Sequence, residues 1–226
     1  MLDQSKPRDR LVGAAMRLAA ERPWGEITLA EIAAAAGLGL VDVRGLVASK
    51  SEIVALFMRA ADDEVLRKPA LRPAEPARDR LFDVIMLRFD TLMPWKPALK
   101  SIAASGLTDV SLARPYLASQ HWMLQAAGIG TDGALGSMRV AGLASAYAST
   151  FQTWLADDDA GMARTMAALD RRLRRGESAV NTVEETCSGV MRIVRDLPGV
   201  LGSVFKRQPA GAADDKPKAE PTPGPA

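Results

Sequence analysis

The chain has 226 residues and a mass of 24.1 kDa, room for one or two small domains with a sizeable core. Hydrophobic residues make up 48% and aromatics 5%, with Ala and Leu prominent, a balance that favours helices over strands. The formal net charge is +2, one cysteine (Cys187) excludes an internal disulfide, and no apolar run reaches the length of a bilayer span, so the expectation is a soluble, cytoplasmic protein.

Pro7 suits the first turn of a helix, and Leu11, Ala14, Ala15, Leu18 and Ala19 recur at helical spacing, which predicts a helix from 7 to about 21. Trp24 lies in the link that follows and is read as a plug for a small core. Thr28 with Glu31 fits a capping box: the hydroxyl takes one orphan backbone N–H and the carboxylate reaches back for another. Gly37 and Gly39 end that helix and leave room for a short one over 40–47. Ser49 with Glu52 has the same form and opens a longer helix. In that helix Ile53, Phe57, Ala60 and Ala61 are expected to face inward and Asp62, Asp63 and Glu64 outward. Short helix, glycine turn, short helix, long helix is the layout of a helix-turn-helix.

Residues 24–53 resemble the DNA-binding head of the TetR family of bacterial regulators. The matching residues are the Thr28–Glu31 start, Ile32-Ala-Ala-Ala-Ala-Gly37, and Ser49-Lys50 at the next helix. The resemblance implies an all-α, TetR-like fold: an N-terminal three-helix head, a linking helix, and a helical body for ligand binding and dimerisation. It also implies a DNA-binding transcriptional regulator whose head enters the major groove of an operator. By position, Arg44 would read a base, while Thr28, Ser49 and Lys50 would hold phosphates. The short helix departs from the family pattern, which is polar and aromatic there. It reads Leu40-Val-Asp-Val-Arg-Gly-Leu-Val47, with Arg44 as its one base-reading group and Asp42 in a position that phosphates repel. Residues 1–70 hold ten Lys/Arg and ten Asp/Glu, so any attraction for phosphate must come from a local patch, for which Arg8, Arg10, Arg44 and Lys50 are the candidates.

Three prolines in 69–77 predict a hinge. The expected organisation is a head over 1–50, a linking helix over 51–68, a body over 76–206 and a disordered tail over 207–226. Body helices are expected over about 75–93, 97–105, 111–127, 133–155 and 160–175, with a last one within 179–206. The triple Asp157-Asp-Asp159 has no ligand loop around it, and one Cys with one His cannot build a zinc site, so no metal is expected. His121 stands beside Trp122 without a nucleophile elbow, and no phosphate-binding glycine loop is present; the reading is a non-enzyme without cofactor. Met86, Phe89 and Met93, joined by Trp122, Tyr147 and Phe151, are candidates for lining a pocket for a small apolar ligand, and the same residues can fill a core. The TetR resemblance assigns the helices over 133–155 and 160–175 to a homodimer interface, and the small residues from Gly136 to Ser149 would let a neighbour come close.

Residues 80–103 and 127–173 also resemble the lipid-binding accessory proteins of ubiquinone biosynthesis, through Thr131-Asp132, Ala144-Ser-Ala-Tyr147, Trp154-Leu-Ala-Asp-Asp158 and Leu169-Asp-Arg-Arg-Leu173. Those proteins share the TetR-like fold, lack a DNA-reading head and hold isoprenoid-type lipids. The resemblance implies peripheral membrane contact through 187–206, where Ile193, Leu197, Leu201 and Phe205 alternate with Arg192, Arg195 and Lys206 as in a basic amphipathic helix. The regulator is the first reading and the lipid-binding protein the second.

Overall fold

A run of helices, broken at Gly and Pro, follows the punctuation of the sequence. The computed structural model describes residues 1–68, 74–106 and 110–176, and regular structure there is helical throughout. The α-helices are α1 (Pro7–Glu21), α2 (Leu29–Ala35), α3 (Leu40–Leu46), α4 (Lys50–Leu66), α5 (Ala77–Leu92), α6 (Lys96–Ala104), α7 (Ala113–Ala126), α8 (Gly133–Leu155) and α9 over 163–176. Short 3₁₀ turns at Trp24–Glu26, Met93–Trp95 and Val110–Leu112 join α1 to α2, α5 to α6, and lead into α7. The described residues belong to one compact unit. The helix expected within 179–206, the tail over 207–226 and the proline-rich residues 69–73 lie outside the described residues.

Local chemistry explains the boundaries. Pro7 stands in the first turn of α1, where its missing N–H costs nothing. α2 ends in a Schellman motif: Gly37 takes φ +64°, its N–H donates to the Ala34 carbonyl, and the Leu38 N–H donates to Ala33. α7 ends the same way, with Gly128 at φ +70° and the Ile129 N–H donating to Leu124.

Two expectations about side-chain direction are corrected. The stripe expected on α1 is wider than one face: Leu11, Val12, Gly13, Ala14, Ala15 and Met16 are all buried in succession. The reason is that α1 is covered on two sides, packing against α2 and α4 within the head and against α6 from the body. Asp62, expected to face outward with Asp63 and Glu64, points inward and is 6% exposed. It meets the buried Arg88 of α5 there, an inward partner that its acidic neighbours do not share.

The body is laid on the head's last helix. α4 packs against α5 and α7, and α7 against α8. Its centre is an aromatic stack: Phe89 lies 5.4 Å from both Tyr147 and Trp154, and Phe151 lies 6.0 Å from Tyr147 and 5.5 Å from Trp154.

Candidate nucleic-acid interface

Thr28 is the N-cap of α2. Its hydroxyl accepts the Glu31 N–H at 3.2 Å, and the Glu31 carboxylate accepts the Thr28 N–H and hydroxyl, each at 2.8 Å. The Arg22 guanidinium at the end of α1 pairs with the same carboxylate at 2.8 Å. The Thr28 N–H foremost, with Arg22 and the Thr28 hydroxyl, holds Glu31 well below its ordinary range, down to about 2.

After the Gly37 turn, α3 starts at an N-cap glycine. Gly39 has no side chain to accept an N–H of the first turn, and its own N–H donates to the Asp42 carboxylate at 3.1 Å. Asp42 therefore has a structural task at the helix start. α3 is anchored by Val43, 2% exposed, and its opposite side is open: Leu40 is 58% exposed, Val41 85%, and Arg44 and Gly45 are exposed. Arg44 makes no ion pair among the described residues.

Ser49 caps α4, its hydroxyl accepting the Glu52 N–H at 3.2 Å. The expected second capping box is incomplete, because the Glu52 carboxylate accepts the Ala48 N–H at 2.7 Å, one residue upstream of the cap. Lys50, assigned by position to phosphate, is turned to the interior of the head. Its ammonium donates to the carbonyls of Trp24 (2.6 Å) and Ile27 (2.5 Å) and lies 4.6 Å from the centre of the Trp24 ring. Partial burial pushes its pKa down. Thr28, Ser49 and Lys50 thus all shape the helix-turn-helix, and Arg44, exposed on α3, is the one of the four that takes no part in these contacts.

The structure brings together part of the expected ligand set. Phe89 and Tyr147 are buried in the aromatic stack, Phe151 packs on them, and Met86 and Met93 are partly buried against the same core. Trp122 departs from the set: it is 51% exposed on α7, with His121 edge-on to it at 5.5 Å. None of the six lines the clefts of about 250 Å³, between the start of α5 and α9, or about 380 Å³, between residues 1–9, α3 and α4.

A cluster beside the aromatic stack was not foreseen. Arg88, 2% exposed, donates to Asp62, to Ser119 and, at 3.0 Å, to the Tyr147 hydroxyl. The Ser119 hydroxyl donates to Asp62 at 2.9 Å. Burial pushes the Asp62 carboxyl up, against the pull of Arg88 and Ser119. One charged group from α4 is thereby fastened to α5, α7 and α8.

A capped helix-turn-helix, joined by its fourth helix to an all-α body, defines the class of molecule. No family model and no curated relative matches the chain. Among solved structures it is similar to a TetR transcriptional regulator from Nitrosomonas europaea, at 23% identity, over 75% of this chain and 97% of that one, with a TM-score of 0.59. It is also similar to a TetR-family transcriptional regulator from Streptomyces coelicolor (22% identity, 88% and 97% coverage, TM-score 0.50). A TetR transcriptional regulator from Rhodococcus sp. RHA1 matches at 18% identity, 77% and 97% coverage and a TM-score of 0.56. The chain has the all-α TetR fold.

Proposed function

We propose that the chain is a TetR-type DNA-binding transcriptional regulator, a homodimer controlled by a small apolar ligand. The observation that carries this reading is α3, the second helix of the helix-turn-helix, held by Val43 and turning Leu40, Val41, Arg44 and Gly45 to solvent. The fold neighbours, described as transcriptional regulators, support it. In this mechanism the α3 helices of two protomers enter successive major grooves, with Arg44 at a base and Thr28 and Ser49 beside phosphates. A ligand in the body would act on α4 through the Asp62–Arg88 cluster and change the spacing of the two heads. Lys50 holds the head's loop and is not a phosphate contact in this reading.

The test is a salt titration of the protein against a random genomic DNA pool, with sequencing of what is retained. An enriched palindrome, bound with an affinity that falls steeply with salt, supports the regulator; absence of enrichment at low salt overturns it. Unchanged affinity and selectivity of an Arg44→Ala protein would remove the assignment of that residue. The second reading, a lipid-binding protein on a TetR-like scaffold, is favoured by one observation, the charge balance of residues 1–70. Flotation with anionic vesicles, together with absence of DNA enrichment, would select it.

A further inference from the structure

We propose that α3 reads DNA chiefly by apolar contact: Leu40 and Val41 seat against thymine methyl groups, and Gly45 lets the helix backbone come close to the groove. The proposal rests on the regulator reading and names the readers within it.

Two independent observations meet on one face of α3. At 3.6 residues per turn, positions 40, 41, 44 and 45 share a side, and Val43 falls on the other. The first observation is that this shared side carries two large apolar side chains in solvent, Val41 at 85% and Leu40 at 58% exposure, although Val43 on the same helix is buried. The second is Gly45. Glycine inside a helix is unfavourable relative to alanine. Here its φ is ordinary and a Cβ would meet nothing within 4 Å, so nothing inside the protein requires it. A face that sets two bare apolar side chains on either side of Arg44 and carries no side chain at its Gly45 edge fits a close-approaching partner.

Major-groove chemistry names that partner. Each thymine presents a C5 methyl there, the one apolar group among the base edges, and apolar side chains recognise it. Arg44, one turn from Leu40, supplies the hydrogen-bonding reader beside them. A lipid surface fits less well, since at helical spacing the carboxylate of Asp42 stands at the margin of the same face.

The experiment takes the duplex enriched from a random DNA pool by the full-length protein and replaces thymidine with deoxyuridine, one position at a time. This removes the methyl and leaves every hydrogen-bonding group. The native protein is expected to lose about fourfold in affinity for each contacted methyl, the worth of one buried carbon. Val41→Ala or Leu40→Ala should bind the thymidine duplex more weakly and be indifferent to the same deoxyuridine. Both side chains are exposed, so the variants should melt with the native protein. Gly45→Ala should melt higher and bind more weakly. If an enriched duplex is bound equally with deoxyuridine at every position, the proposal is overturned and the regulator reading stands. If no duplex is enriched, both fall. Binding of anionic vesicles that Val41→Asp abolishes, with no duplex enriched, would assign the apolar pair to a membrane and overturn the proposal.

Discussion

Asp62 shows at the scale of one residue what sequence and structure each contribute. Its charge is buried with Arg88, and a buried pair costs little so long as both partners are present; removing one leaves an uncompensated charge in the core. Asp62→Leu is therefore expected to destabilise the protein by about 3–5 kcal/mol in urea unfolding. The double variant Asp62→Leu/Arg88→Met should recover most of that loss; if it is as unstable as the single variant, the orphaned charge is not the cause. Nothing local in Asp62-Asp-Glu64 distinguishes the buried acid from its two neighbours, because the distinction is made by a residue 26 positions away. Thr28 and Glu31 were legible for the opposite reason: their partners lie within one helical turn. Glu31 also sets a pH dependence. Its folded value, about 2, lies below its ordinary 4.5, so the stability it lends is present above pH 4.5 and lost as pH falls toward 2. Glu31→Gln should flatten acid unfolding in that window, read by far-UV circular dichroism across pH; a slope equal to the native one would separate the carboxylate from acid stability.

Among the elements, helix boundaries were largely readable, since caps, prolines and glycines act locally; which faces they bury was less so. Glycines within helices show the limit, because the sequence presents Gly45 and Gly136 alike. In α3 a Cβ at Gly45 would enter open space, and Gly45→Ala is expected to gain about 0.5–1 kcal/mol of stability. In α8 a Cβ at Gly136 would lie 2.0 Å from the carbonyl carbon of Thr131, which leaves no room without moving backbone. Gly136→Ala should cost about 1–3 kcal/mol, as overpacking does. Opposite shifts in melting temperature are the expected result; shifts of the same sign would contradict the packing described for one of the two helices. Lys50 at the start of α4 makes a similar distinction between position and geometry. Its place beside the cap suggests a phosphate contact, yet its ammonium is spent on the Trp24 and Ile27 carbonyls. Lys50→Met should lower the melting temperature while leaving the salt slope of DNA binding unchanged. A slope smaller by about one would return Lys50 to the phosphates.

Over the whole molecule, the proline-rich stretch at 69–77 suggested a head joined to its body by a hinge, and the packing ties the two more closely than a hinge requires. α1, a head helix by sequence, lies against α6, far from it in the chain. The Ser101 hydroxyl of α6 accepts the Trp24 N–H and donates to the Arg22 carbonyl, both at 2.9 Å. The Asp62–Arg88 cluster makes a second tie through α4. Such long-range packing is invisible to periodicity, which reports that a helix has an apolar side and not that two sides will be covered. The successive burial of residues 11–16 is its signature, and it bears on any mechanism in which the head moves. If α1 needs α6, a fragment of residues 1–68 leaves one side of α1 bare and should unfold at lower urea than the full chain. In the full chain, near- and far-UV circular dichroism should report one coincident transition. A fragment as stable as the full chain, or two separate transitions, would mean that the head is autonomous. The reading would then pass from a head and body that shift as one packed frame to a head swinging freely on its linker. The packing supports the first alternative: in the proposed mechanism a ligand that displaced α4 against α5 and α7 moves α1 and α6 with it, and that shared movement carries the signal to α3.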